Sequence, residues 1–307
     1  MNRLDKIARK NQLSIGLVFP IESYQGAIPS MQNQELLARR AEELGFKALW
    51  FRDVPFHDPN FGDTGQIFDP WVYITHIMNH TKTIALGTAS VILPLRHPVH
   101  VVKSMNSIQT LSNGRLILGV ASGDRPTEYP AFNQNIENKS SLFRDAFSYI
   151  RNLQKDFPRY YSQYFGSTSG SIDLLPKHAN HTPLLITGHS GQSLEWIAQN
   201  GDGWLYYPRD FRTLQIVMHQ WREALESAET HWKPFLQSLY IDLSEDENDT
   251  PQPIHLGFKS GANYLNAHLK LLENYGVNHV IFNLKYGTRP VSEVLEELGQ
   301  KVLPNFN

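Results

Sequence analysis

At 307 residues the chain has room for one α/β barrel with insertions, a fold that usually takes about 250 residues, and for a sizeable core. Its 28 basic and 30 acidic residues give a formal net charge of −2, which lends no support to a nucleic-acid surface or a polybasic membrane patch. Cysteine is absent, which removes disulfides, thiolate nucleophiles and cysteine-held metals. The opening MNRLDKIARKNQ lacks the apolar stretch of a signal segment, and no run of about 18 apolar residues occurs anywhere. A soluble, cytoplasmic protein is the expectation.

In chain order, Leu13–Pro20 is a short apolar run that predicts strand one. Ser30 can cap a helix through Leu44, with Leu37, Ala41 and Leu44 at helical spacing and Gly45 closing it. Lys47–Phe51 follows as strand two and ends in Arg52-Asp53. The polar loop from Val54 to Gln66 holds His57, Asp58 and Asp63, and Asp69-Pro70 starts a helix to about Asn79. Ile84–Gly87 and Leu116–Ala121 read as two buried parallel strands, joined by a helix that starts at Pro98 and stops at Asn113-Gly114. Each strand delivers a small polar loop, Thr88-Ala89-Ser90 and Ser122-Gly123-Asp124-Arg125, to one edge, which is how a barrel builds a ligand site.

Beyond Arg125 an irregular stretch, Thr127–Lys139, precedes an amphipathic helix from about Ser141 to Lys155. Phe157–Thr182 reads as a second long irregular segment, of a length that usually serves function or moves. Leu184–Thr187, Gly203–Tyr206, Phe235–Leu243 and His279–Leu284 supply strands five to eight. Helices are expected at Gly191–Asn200, Phe211–Glu229, Asn263–Tyr275 and Val291–Val302, with SEDENDTPQPI as a surface excursion. Eight strand-like runs alternate with helices without a linker-like break. The fold class is α/β, one (β/α)8 TIM-like barrel with loop insertions spanning 1–307 as a single domain.

Several residue groups could carry chemistry. Gly188-His189-Ser190-Gly191-Gln192-Ser193 lies between strand five and its helix, where free N–H groups, glycines and hydroxyls suit an anion; a plain helix-capping turn explains the same residues equally well. It is neither a P-loop nor a G-x-G-x-x-G fingerprint. The small residues of Thr88-Ala89-Ser90 would let a flat ring lie against the backbone, and they also suit simple packing. His97 and His100 flank a helix start with no carboxylate nearby in sequence, so a hydrogen-bonded structural role outweighs a metal; the His57/Asp58/Asp63 group reads as a solvated loop. No metal site is expected. Trp204, Tyr206 and Tyr207 either wall a pocket or join the core.

Two blocks carry a resemblance, GTASVILPLRHPVHVVKSMNSIQTLSNGRLILGVASGDRP and PLLITGHSGQSLEWIAQNGDGW. Together they resemble the bacterial-luciferase-like family of flavin-dependent oxidoreductases, and within it a luciferase-type oxidoreductase subgroup, over most of residues 13–210. The resemblance implies FMN at the C-terminal ends of the strands. Its phosphate would sit on Ser190, Gly191, Gln192 and Ser193, and its ring would lie across Ala89 and Ser90 near Ser122 and Gly123. Some members carry a non-prolyl cis peptide at the position of Ala89–Ser90. Where the luciferases place a histidine after strand two, this chain has Asp53, taken as the catalytic polar group or base. The reactive cysteine of some luciferases corresponds to Ala121, so light emission is not implied. The expected reaction is an FMN-dependent monooxygenation of a small organic substrate by O2, with flavin reduced by a separate reductase. The alternatives are a dehydrogenase using a deazaflavin coenzyme in the same barrel and a flavin-binding protein without turnover. A homodimer is left open.

Overall fold

The computed structural model describes residues 2–61, 64–178 and 181–306. Eight parallel strands form the barrel: β1 (Ser14–Val18), β2 (Ala48–Phe51), β3 (Ala85–Thr88), β4 (Leu116–Ala121), β5 (Leu184–Thr187), β6 (Gly203–Tyr206), β7 (Phe235–Leu243) and β8 (His279–Asn283). Each pairs with the next, β8 pairs with β1 through Ser14↔His279, and β6 pairs with β7 through Trp204↔Phe235, so the sheet closes on itself. The helices are α1 (Arg3–Ile7), α2 (Gln34–Leu44), α3 (Pro70–Met78), α4 (Pro98–Leu111), α5 (Lys139–Leu153), α6 (Leu194–Asn200), α7 (Phe211–Ser227), α8 (Ala262–Tyr275) and α9 (Val291–Glu297). No described helix is long and apolar enough to cross a membrane.

Side-chain alternation along the strands divides the core in two. One buried cluster fills the barrel, with Val18, Ala48, Trp50, Ala85, Ile117, Leu185, Leu205, Leu236 and Ile281. The larger one lies between the strands and the surrounding helices. The short α1 belongs to the inner cluster through Leu4 and Ile7, and so plugs the N-terminal end of the barrel. Polar groups secure the plug: Trp50 Nε1 donates to His279 Nε2 at 3.0 Å, His279 Nδ1 meets Ser14 Oγ at 2.6 Å, and the Ser14 hydroxyl donates to the Ile7 carbonyl. Gly16 is required there, because a Cβ would stand 2.7 Å from His279 Nε2 and 2.8 Å from the Ala48 carbonyl.

Some element boundaries differ from the sequence expectation for visible reasons. Ser30 does not cap α2: Glu22 accepts the N–H groups of Ser30 and Met31, and the helix starts at Gln34 after Asn33 in a left-handed conformation. The helix expected from Gly191 starts at Leu194, because Ser193 is its cap. Segment 157–182 is not wholly irregular; Arg159–Ser162 and Gly166–Ser169 form an antiparallel hairpin. The 244–254 excursion ends in a strand, Gln252–Ile254, antiparallel to Gly257–Ser260.

That last insertion shapes the mouth. The first residues of β7, Phe235–Gln237, pair with β6, whereas Tyr240–Leu243 pair with Gly257–Ser260. The seam between β6 and β7 therefore opens toward the C-terminal end. On the other side, the chain leaves β3 through a cis Ala89–Ser90 peptide and resumes as Val91–Ile92 beside β4.

Candidate functional site at the C-terminal mouth

The loops after β3, β4 and β5 meet at the C-terminal end of the barrel. Ser90 Oγ and Thr187 Oγ1 are 2.5 Å apart, the Ser122 N–H donates to Ser190 Oγ at 3.2 Å, and the Ser190 hydroxyl donates to the Thr187 carbonyl at 2.8 Å. The Tyr129 hydroxyl donates to the Ser122 carbonyl. Ala89 packs against the inner cluster. Gly123 has φ +83, and a Cβ on it would approach Ile92 Cγ2 to 2.8 Å. Of the eight cofactor residues expected from the sequence, Ala89, Ser90, Ser122, Gly123, Ser190 and Gly191 thus lie on three adjoining loops.

The β5 loop is a tight backbone turn. Gly188, Ser190 and Gly191 have φ of +55°, +48° and +70°. The main-chain N–H groups of His189, Ser190 and Gly191 donate to no acceptor among the described residues. Consecutive unpaired N–H groups in a left-handed turn form a concavity that suits an anion. The side chains are committed elsewhere. Gln192 Oε1 accepts from Arg144 Nε at 2.7 Å and its Nε2 donates to the Ser140 carbonyl, which ties the loop to α5. Ser193 Oγ accepts the Trp196 N–H and caps α6. Trp204 is core, as one of the two sequence readings has it, and its Nε1 fixes the Gly188 carbonyl at 2.7 Å. Tyr207 is exposed and adjoins Gly188; Tyr206 is partly buried and packs on Trp204.

Asp53, at the end of β2, is not open to the mouth. Its side chain is 1% exposed, Arg96 holds both its oxygens at 2.7 Å, and Ile92 N–H donates to Oδ2 at 3.2 Å. Arg96 continues to Asp69, the cap of α3, at 2.8 Å. The chain around Asp53 also contains two buried groups to which the sequence alone gave no individual role. Arg125 and Glu128 are buried, and Glu128 Oε1 has no hydrogen-bond partner among the described residues. Burial raises the Glu128 carboxyl pKa, with Asp53 and Asp124 adding to the rise and Arg125 opposing it. No spacing motif announces this pair, since its burial depends on loops from two strands.

These loops interlock. Arg125 stands 4.6 Å over the Phe61 ring, Phe56 and Phe132 rings are 6.0 Å apart, and the Thr127 hydroxyl donates to Asp58 at 2.8 Å. His57 bonds Thr64 at 2.8 Å, and Asp63 lies outside the described residues. His97 caps α4 through Nδ1 and bonds the Phe165 carbonyl through Nε2, while His100 packs beside it at 6.0 Å between ring centroids. Among the described residues no group of three or more metal-ligating side chains occurs.

A family model described as luciferase-like monooxygenase matches residues 13–244. The chain is 25% identical over 168 residues to the alkanal monooxygenase alpha chain of Photorhabdus luminescens, covering 54% of this chain and 44% of that one. The match therefore spans less than half the length of that relative. Two solved structures share the fold. An F420-dependent secondary alcohol dehydrogenase in complex with an F420–acetone adduct aligns with a TM-score of 0.79 at 16% identity, covering 96% of this chain and 99% of the other. The oxygenating constituent of 3,6-diketocamphane monooxygenase from Pseudomonas putida, a type II Baeyer–Villiger monooxygenase in complex with FMN, aligns at 0.77 and 14% identity over 96% and 99%. With a family match over most of its length and the barrel described above, the chain belongs to the luciferase-like monooxygenase family.

Proposed function

We propose that the protein is a flavin-dependent oxidoreductase, an FMN-dependent monooxygenase that uses flavin reduced by a separate reductase, and O2, to oxygenate a small organic substrate. The observation that carries this reading is the run of unpaired N–H groups at His189, Ser190 and Gly191 beside the small residues Ala89, Ser90 and Ser122. An anion nest next to a wall of small side chains fits a phosphate joined to a flat ring. The family membership and the FMN-bound neighbour support it.

Reduced flavin, when bound, supplies the electrons that activate O2. The chain's own part is to hold and shield. Backbone N–H groups of the β5 loop would hold the phosphate, with Gln192 and Ser193 keeping that loop in shape from α5 and α6. Ala89 and Ser90 leave space for the ring, and Asp53 positions Ile92 and the mouth loops through Arg96. The interlocked loops 54–61 and 122–138 act as the cover that keeps water from the reacting atoms. Soluble, cytoplasmic operation with a reductase as functional partner completes the proposal, and a second copy of the chain as partner stays within it.

Oxygen uptake with chemically reduced FMN, measured with and without a panel of aldehydes and ketones, tests it. Substrate-dependent formation of an oxygenated product is expected. Uptake indifferent to every substrate, together with alcohol-driven reduction of a deazaflavin coenzyme, would favour the second reading, a dehydrogenase. That reading draws on the F420-dependent alcohol dehydrogenase with which the chain shares its fold.

A further inference from the structure

Asp53, the carboxylate expected to act as a base, has both oxygens committed to Arg96. Other described carboxylates of the mouth loops are committed as well. Asp58 accepts from the Asn60 N–H and the Thr127 hydroxyl, and Glu22 accepts the N–H groups of Ser30 and Met31. Asp124 is exposed. Glu128 differs. It is 4% exposed, and its Oε1 is the only buried carboxylate oxygen without a hydrogen-bond partner among the described residues.

The fold places this oxygen under the cover. Glu128 precedes a short turn, Tyr129–Phe132, and the chain is fastened on both sides of it. Thr127 and Phe132 hold the loop 54–61, through the bond to Asp58 and the contact with the Phe56 ring. Tyr129 donates to the Ser122 carbonyl, on the loop that would border the flavin ring. The side chain is thus enclosed where the loops after β2 and β4 meet. Asp53 and Asp124 disfavour its charge, while Arg125 and the Phe56 N–H favour it. Arg125 also stands over the Phe61 ring and reaches the Phe56 carbonyl at 3.5 Å. Burial outweighs both favouring groups, so the carboxyl holds its proton above the usual carboxylate range. Tyr129 beside it stays neutral, its hydroxyl pushed up to about 12 by burial.

We propose that Glu128 is the proton donor of the mouth, giving its carboxyl proton to the oxygen released as water. The inference rests on the oxygenation proposed above and assigns the acid in it. When one oxygen of O2 bonds to the substrate, the O–O bond breaks and the other oxygen leaves as water. Two electrons come from anionic reduced FMN and two from the substrate. One further proton is needed, and Glu128 gives it and then regains one from solvent.

Two measurements on the full chain test this, one of them independent of turnover. Infrared spectroscopy of the flavin-free protein at about pH 6, where ordinary carboxylates are ionised, should show a protonated-carboxyl C=O band that Glu128→Gln removes. In oxygenation assays with reduced FMN, Glu128→Gln should lower kcat by about a hundredfold and leave FMN affinity within about twofold. The wild-type rate should fall as rising pH strips the carboxyl of its proton, and the Glu128→Gln profile should be flat over that range. Glutamine is neutral and of similar size, which suits the site of a neutral acid. Glu128→Asp, which retains the acid, should keep part of the rate and the falling profile. A missing band, or a Glu128→Gln protein with undiminished kcat and the wild-type pH profile, overturns the donor role and leaves FMN-dependent oxygenation standing. Loss of FMN affinity in step with the rate overturns it too, since that marks a residue that only shapes the site. A wild-type protein that oxygenates no substrate removes both.

Discussion

The Arg96 guanidinium grips the Asp53 carboxylate by two parallel bonds, Nε to Oδ2 and Nη2 to Oδ1, each 2.7 Å long. The pair joins residues 43 positions apart, the end of β2 and the start of the chain leading into α4. Asp53 is almost fully buried and Arg96 only partly so, which leaves the carboxylate dependent on its partner. Asp53→Asn should therefore act on stability first. Halving a buried fork of this kind costs about 3 kcal/mol, read as a lowered urea midpoint. Turnover then falls with loosened mouth loops, while a folded, stable Asp53→Asn protein that turns over slowly would return Asp53 to the role of a base.

The loop turn at Gly191 gives a second expectation. Its φ of +70° and the neighbouring Ser140 leave no room for a side chain. Gly191→Ala should displace the β5 loop from α5 and weaken FMN by about tenfold or more, with little loss elsewhere because the residue is exposed. Isothermal titration checks it, and unchanged affinity would move the phosphate away from this loop.

Ser190 and Ser193, which the sequence treats alike, should now separate. Ser193→Ala removes a helix cap and should cost about 1 kcal/mol of stability. Ser190→Ala breaks the link between the β4 and β5 loops and should show first in flavin affinity. Parallel melting curves and titrations of the two variants distinguish the roles.

Acid should weaken the barrel through two histidines. Burial lowers the pKa of His279 to about 3 and of His268 to about 4, so both stay neutral in the fold. The unfolded chain takes up these protons below about pH 6.5, hence their contribution is complete above that pH and is lost as pH falls toward those values. Each histidine should remove about 1.4 kcal/mol per pH unit across this window. Urea unfolding at pH 7 and 5 measures the slope, and His268→Gln should flatten it.

The barrel was legible because its strands are short apolar runs punctuated by capped helices, as at Leu116–Ala121 and Pro98–Leu111. What escaped was polar or brief. The hairpin Arg159–Ser162 with Gly166–Ser169 is mostly exposed and shows no apolar alternation, and α1 has only five residues, too few for periodicity. At the site, Ala89, Ser90, Ser122 and Ser190 were visible as small or polar residues after strands. The Asp53–Arg96 fork and the unpaired N–H groups at 189–191 were not, because both depend on distant loops and backbone dihedrals rather than residue type.

In the function proposed above, a flavin lies at this mouth with its ring against Ala89. Ala89→Leu puts an isobutyl group in place of a methyl beside Ser90, where the ring should approach, and one experiment reads both consequences: FMN titration and thermal unfolding of the same variant. FMN affinity should fall by about tenfold or more with the melting temperature of the apo-protein nearly unchanged. If Ala89 were only a packing position, overpacking would cost about 1–3 kcal/mol. Preserved FMN affinity with a lowered melting temperature would take the site off β3.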